Sequence, residues 1–183
     1  MMQKSKNRKA ETETGQNQSA GVIKVLFVCT GNTCRSPMAE GIFRRLIAED
    51  GRQERIFCQS AGLSAVEGMA VSENAVLAGR EAGVDIASHK ARRLRPEDTE
   101  IWDLYFTMSG THAYILEQAG VPGNRIHIPS YIPDPFGKDL EEYRKCYAKL
   151  EKEVKIFYNS VVQRMLILKG GIFIPPDMQQ LNG

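Results

Sequence analysis

Apolar residues crowd together early in the chain. Val22, Ile23, Val25, Leu26, Phe27 and Val28 are mostly β-branched or aromatic, with Lys24 as the one polar interruption. Such a run predicts a central strand of a sheet covered on both faces. Helical spacing follows. Met38, Ile42, Phe43, Leu46 and Ile47 fall on one face, predicting a helix over 36–50 that Gly51 stops. Residues 56–61 predict a second strand, ending at Ser60-Ala61-Gly62. Val71, Ala75, Val76 and Ala82 predict a second helix closed by Gly83. Residues 104–108 predict a third strand, Ser109 caps a helix ending at Gly120, and residues 125–128 predict a fourth strand. From 140 to 169 there is no glycine or proline. Leu140, Tyr143, Tyr147, Leu150, Val154, Phe157, Val161, Met165 and Leu168 advance by threes and fours, predicting one long amphipathic helix.

Strands alternating with helices predict an α/β fold: a three-layer sandwich with a central four-stranded parallel sheet and helices on both faces. Ligands bind such sheets outside the carboxyl ends of the strands. Cys29, Ser60 and the loop after the fourth strand fall at that edge.

Between the first strand and the first helix lies Cys29-Thr-Gly-Asn-Thr-Cys-Arg35-Ser-Pro37. Ser36-Pro37 is a helix-start signal, a hydroxyl cap followed by a residue that needs no donor. A loop closing onto a helix N-terminus gathers backbone N–H groups and partial positive charge at one spot. Gly31 permits a tight turn, and Asn32 tolerates a left-handed backbone. Arg35 adds a planar fork matched to two phosphate oxygens. The predicted ligand is a tetrahedral dianion, with Cys29 beneath it in a field that favours the thiolate nucleophile. A second signal is Asp134, flanked by Pro133 and Pro135, which restrict its backbone.

The stretch 29–37 resembles the signature loop of the low-molecular-weight protein tyrosine phosphatase family, and the likeness extends over about residues 22–168. Thr33 resembles the version carried by bacterial protein arginine phosphatases. The resemblance implies a cysteine-dependent protein phosphatase working through a phosphocysteine intermediate. Cys29 would be the nucleophile, Arg35 the phosphate anchor and Asp134 the general acid. Thr30, Gly31, Asn32, Thr33, Cys34 and Ser36 would line the phosphate site, with Phe136 an apolar wall. Ser60 and His89 would support the loop, together with Asn32 and Ser36. Thr33 leans the substrate toward phosphoarginine, with phosphotyrosine the alternative. The chain departs from the tyrosine phosphatase pattern after Met108, where Ser109 replaces the usual acidic residue. Arsenate reductases share the loop, but their closely spaced relay cysteines find no match in Cys58 and Cys146. A disulfide between Cys29 and Cys34 is a further reading, as redox regulation.

The chain has 183 residues, 24 basic and 22 acidic, with four cysteines and 42% apolar content. That length supports one domain, here 21–169. Residues 1–20 read as a polar, disordered tail and 170–183 as an extension that could mediate self-association. No apolar run approaches bilayer length, and the first twenty residues lack a secretory apolar segment. The expected setting is the reducing cytoplasm, with a phosphorylated protein substrate and no nucleic acid, membrane, metal or cofactor as partner. Arg44, Arg45, Arg92, Arg93 and Arg95 read as solvated charge, the last three also as a steering patch for acidic substrates. His112 reads as a surface helical residue.

Overall fold

The computed structural model describes residues 22–163. β1 (Ile23–Cys29) lies between β2 (Ile56–Gly62) and β3 (Leu104–Thr107), and β4 (Ile126–His127) completes a parallel sheet of order β2-β1-β3-β4. Because β1 is interior, its side chains alternate between two buried faces. Ile23, Val25, Phe27 and Cys29 enter one core with α1 (Arg35–Glu49), α2 (Glu73–Glu81) and α5 (Leu140–Phe157). Leu26 and Val28 enter a smaller core with Ala61, Trp102, Tyr105 and Leu116, the last from α4 (Gly110–Gln118). The expected three layers are therefore present. Phe27 packs its ring against Phe43 at 5.2 Å and Phe106 at 5.4 Å, which anchors the strand two residues before Cys29.

Several boundaries differ from the sequence reading. A short helix α3 (Asp98–Ile101) precedes β3, too brief to leave a periodic signal. β4 spans two residues because Gly123–Arg125 form a 3-10 turn at its start. α5 gives way at Phe157 to a π-helical turn, Tyr158–Val162. The predicted continuation through Met165 and Leu168, the polar tail and the C-terminal extension lie outside the described residues.

The expected solvated arginines divide. Arg93 and Arg95 are exposed, and Arg44 is half-exposed above Glu40 at 2.7 Å. Arg45 is not simply solvated: it donates to the Ala82 carbonyl at 2.7 Å and pairs with Glu151 on α5. Arg92 is bidentate to the buried Asp98, at 2.8 and 3.0 Å. Burial disfavours the Asp98 carboxylate. The Arg92 guanidinium, the Arg95 N–H and the Trp102 indole N–H outweigh that cost and hold the carboxyl below its usual range.

Candidate active site

β1 ends at Cys29, and residues 30–34 loop back over the strand tip before α1 begins. Asn32 takes a left-handed backbone, φ 56°, and is fully buried. That turn aims its N–H at Cys29 Sγ, 3.2 Å away. Ser36 Oγ approaches the same sulfur at 2.9 Å. The helix-start reading of Ser36 needs correcting. The N-cap of α1 is Cys34, which makes no side-chain cap bond, and the Ser36 hydroxyl is drawn to Cys29 and Asn32 instead.

The donors behind the loop can be assigned in order. Asn32 Oδ1 accepts the Arg92 N–H at 2.9 Å, so Nδ2 is the donor end. It donates to Ser36 Oγ and Ser60 Oγ, both at 2.8 Å. Ser60 passes its own proton to Glu40 Oε2 at 2.6 Å. Ser36, which accepts from Asn32, keeps its single proton available for a Cys29 thiolate 2.9 Å away. His89 Nε2 lies 3.2 Å from both Asn32 O and Asn32 Oδ1, two acceptors, so it carries the ring proton. Burial pushes the His89 imidazole below its ordinary pKa, against the pull of Glu40. Asn32, Ser36, Ser60 and His89 thus form one network. Glu40 and Arg92 join it unforeseen.

Arg35 is buried, and its Nη2 donates to Asp134 Oδ2 at 2.5 Å. Asp134 is half-exposed at the mouth of the site. The loop carrying it is tied to α5, where Glu153 accepts from Ser130 and Cys146 Sγ donates to the Pro133 carbonyl at 3.4 Å. Cys29, Thr30, Gly31, Asn32, Thr33, Cys34, Arg35, Asp134 and Phe136 line a cavity of about 290 Å³, joined by Ser64, Val66 and Met69. Phe136 stands out at its rim, 65% exposed. Every residue expected to contact the ligand lies on this cavity except Ser36, which sits behind Cys29.

Cys34 Sγ contacts Ser72 Oγ at 3.0 Å and Tyr143 OH at 3.2 Å, and all four cysteines are free. Burial pushes both the Cys58 and Cys146 thiols up to about 12. Neither has the thiolate character a relay would use. Among the described residues, no group of three or more His, Cys, Asp and Glu side chains is arranged to hold a metal ion. No helix among them is long and apolar enough to cross a membrane.

His112 overturns its reading as a surface residue. It is buried, with Nε2 3.0 Å from Thr30 Oγ1 and Nδ1 2.6 Å from Ser109 Oγ. Burial, reinforced by the Arg35 charge, lowers its pKa to about 4. Gly62 was also undervalued. A Cβ there would lie 2.6 Å from the Thr30 carbonyl, so the close approach of β2 to the loop requires glycine.

A sequence profile described as low molecular weight phosphotyrosine protein phosphatase matches residues 24–165. The chain belongs to this family. It is 33% identical over 135 residues to the low molecular weight protein-tyrosine-phosphatase PtpB of Staphylococcus epidermidis, covering 70% of this chain and 91% of the relative. It is 31% identical over 144 residues to a protein-arginine-phosphatase of Geobacillus stearothermophilus, covering 70% and 88%. The crystal structure of a low molecular weight protein tyrosine phosphatase from T. tengcongensis superposes with a TM-score of 0.70 at 36% identity, covering 76% of this chain and 99% of that one. The protein is therefore a phosphatase of the low molecular weight family, a class that acts on phosphorylated proteins.

Proposed function

We propose that this phosphatase removes phosphate from arginine side chains of proteins through a phosphocysteine intermediate. The observation that carries the chemistry is the convergence on one sulfur. Cys29 Sγ receives the Asn32 N–H and the Ser36 hydroxyl at the cavity that Arg35 and Asp134 also line. Both donors stabilise an anion at sulfur.

In the first step the Cys29 thiolate attacks phosphorus, the S–P bond forms, and the P–N bond to the substrate breaks. Asp134 gives its proton to the leaving nitrogen. In the second step water attacks phosphorus and Asp134 takes its proton. The S–P bond breaks, releasing inorganic phosphate and the thiolate, which the Ser36 proton helps to stabilise. Arg35 and the loop N–H groups hold the equatorial oxygens throughout. A guanidinium carries five N–H donors, so pairing one nitrogen with Asp134 leaves this role intact.

Substrate choice rests on Thr33. It is small, it lines the cavity, and its hydroxyl accepts hydrogen bonds from a guanidinium. A phosphotyrosine reading has its own support, since Phe136, Val66 and Met69 give the cavity an apolar rim suited to a flat ring. Matched phosphoarginine and phosphotyrosine peptides, hydrolysed by the parent and a Thr33→Ile variant, separate the two. The parent should favour phosphoarginine in kcat/KM, and the variant should shift the ratio toward phosphotyrosine by about tenfold, a difference of one pocket contact. A parent that favours phosphotyrosine, with a ratio the substitution leaves unmoved, would overturn the preference.

A further inference from the structure

Ser109 and His112 sit together at the start of α4, and His112 reaches Thr30 of the loop. Neither has a place in the reaction described above. Ser109 is the N-cap of α4, and its side chain accepts the His112 backbone N–H at 3.4 Å. The same oxygen lies 2.6 Å from His112 Nδ1, while His112 Nε2 lies 3.0 Å from Thr30 Oγ1. Hydroxyl donors make the shorter hydrogen bonds, and ring N–H donors cluster near 2.9–3.0 Å. The two distances therefore fit a Ser109 hydroxyl donating to Nδ1 and an Nε2–H donating to Thr30. An imidazole that stays neutral has one proton to place, and burial beside Arg35 keeps this one neutral. Thr30 is exposed, lines the cavity, and directly follows Cys29. With its oxygen occupied by the ring N–H, its single proton is left for another acceptor.

We infer that His112 is a positioning residue: held by Ser109 as the Nε2–H tautomer, it turns the Thr30 hydroxyl into a donor for an oxygen of the bound phosphoryl group. This rests on the phosphatase chemistry proposed above and adds a side-chain donor to the backbone N–H groups. Thr30 touches the substrate. His112 and Ser109 act through it.

The test has two arms. In the full-length protein at neutral pH, long-range ¹⁵N–¹H correlation should show His112 protonated at Nε2 alone. An Nδ1–H signal or an imidazolium overturns the inference, and this reading needs no turnover. In the kinetic arm, with para-nitrophenyl phosphate as substrate and inorganic phosphate as competitive inhibitor, Thr30→Val should lower kcat by about tenfold and weaken phosphate inhibition, as expected for one lost bond to a charged group. His112→Leu should match it, and the double variant should lose no more than about twofold beyond the worse single. His112→Gln, which keeps an N–H donor near the Nε2 position, should recover most of the activity. Losses that multiply in the double variant, a His112→Gln protein as impaired as His112→Leu, or an unimpaired Thr30→Val protein each overturn the inference. Thr30→Val, at an exposed position, keeps the arm decisive if His112→Leu fails to fold. Full turnover by a Cys29→Ala variant would instead overturn the nucleophile assignment.

Discussion

Gly62→Ala tests whether the loop is held in place by backbone contact with β2. Gly62 pairs with Cys29 across the sheet. Beyond it, the Leu63 and Ser64 N–H groups donate to the Cys29 and Thr30 carbonyls, both at 2.9 Å. An added Cβ would meet the Thr30 carbonyl oxygen at 2.6 Å, the Asn32 nitrogen at 2.9 Å and Ala65 Cβ at 2.9 Å. Two of these neighbours are backbone and cannot rotate away. The carbonyl falls about 0.8 Å short of the 3.4 Å at which ordinary contact begins. Overpacking of this kind costs about 1–3 kcal/mol. At about 2 kcal/mol the melting temperature should fall by roughly 4–8 °C.

The effect on activity should be larger than the effect on stability. The Asn32 nitrogen is the group that donates to Cys29 Sγ, so its retreat moves a donor off the nucleophile. Misplacement by about 1 Å costs on the order of a hundredfold in rate. Thermal melting by circular dichroism and kcat/KM on an aryl phosphate read the two effects separately. Gly123→Ala is the control. Its Cβ would meet the Glu117 carboxylate at 2.9 Å, the free end of a flexible side chain that can swing aside. That variant should keep full activity and melt no lower, since Gly→Ala also restricts the unfolded chain, by about 0.4–1 kcal/mol. A Gly62→Ala protein within threefold of parental kcat/KM would refute the argument.

Burial lowers the pKa of His89, His112 and His127 alike, His112 to about 4. Each is neutral in the native protein where the unfolded chain begins to protonate, near 6.5, so stability is full above that pH and falls as pH drops, for His112 until about 4. His112 alone accounts for about 3 kcal/mol, and a urea midpoint that stays flat between pH 7 and 5 would contradict this. Asn32→Gly and Asn32→Ala should both lower kcat at least about tenfold by removing the donor to Ser36. The alanine variant should be less stable than the glycine variant by about 1–2 kcal/mol, because alanine, unlike glycine, takes φ 56° only with strain; equal denaturation midpoints would argue against strain at that position.

The strand, loop and helix around Cys29 were legible because each carries its own signal. A β-branched run marks β1, Gly31 and Asn32 suit a tight turn, and an apolar stripe marks α1. His112 was not legible in that way. A histidine in the first turn of a nine-residue helix looks the same whether that turn meets water or a neighbouring loop, and only the docking of α4 on Thr30 decides. Arg92 was misread for a related reason. Its partner Asp98 sits on a four-residue helix with no periodicity to announce it. Ser36 failed differently. The Ser-Pro pattern correctly marks a helix start, but α1 begins at Arg35 with Cys34 as its N-cap, so Ser36 lies inside the first turn and its hydroxyl serves Cys29 and Asn32 instead of capping.

Glu40 was within reach of the sequence. Asn32, Ser36, Glu40 and Arg44 recur at intervals of four, a polar stripe running from the loop along a helix whose neighbouring stripe is apolar. In the structure that stripe is a hydrogen-bonded line. Asn32 meets Ser36 directly and reaches Glu40 through Ser60, and Glu40 pairs with Arg44 at the surface. A buried carboxylate is costly without partners. Glu40 has the Ser60 proton on its inner side and the Arg44 cation on its outer side. Its acceptor strength fixes the Ser60 proton toward itself, which leaves the Ser60 oxygen to accept from Asn32. The same amide then donates to Ser36 and orients that hydroxyl at Cys29. The line is thus pinned at both ends: Glu40 fixes the Ser60 proton, and the Arg92 N–H on Asn32 Oδ1 fixes the amide whose Nδ2 protons Ser60 and Ser36 both accept.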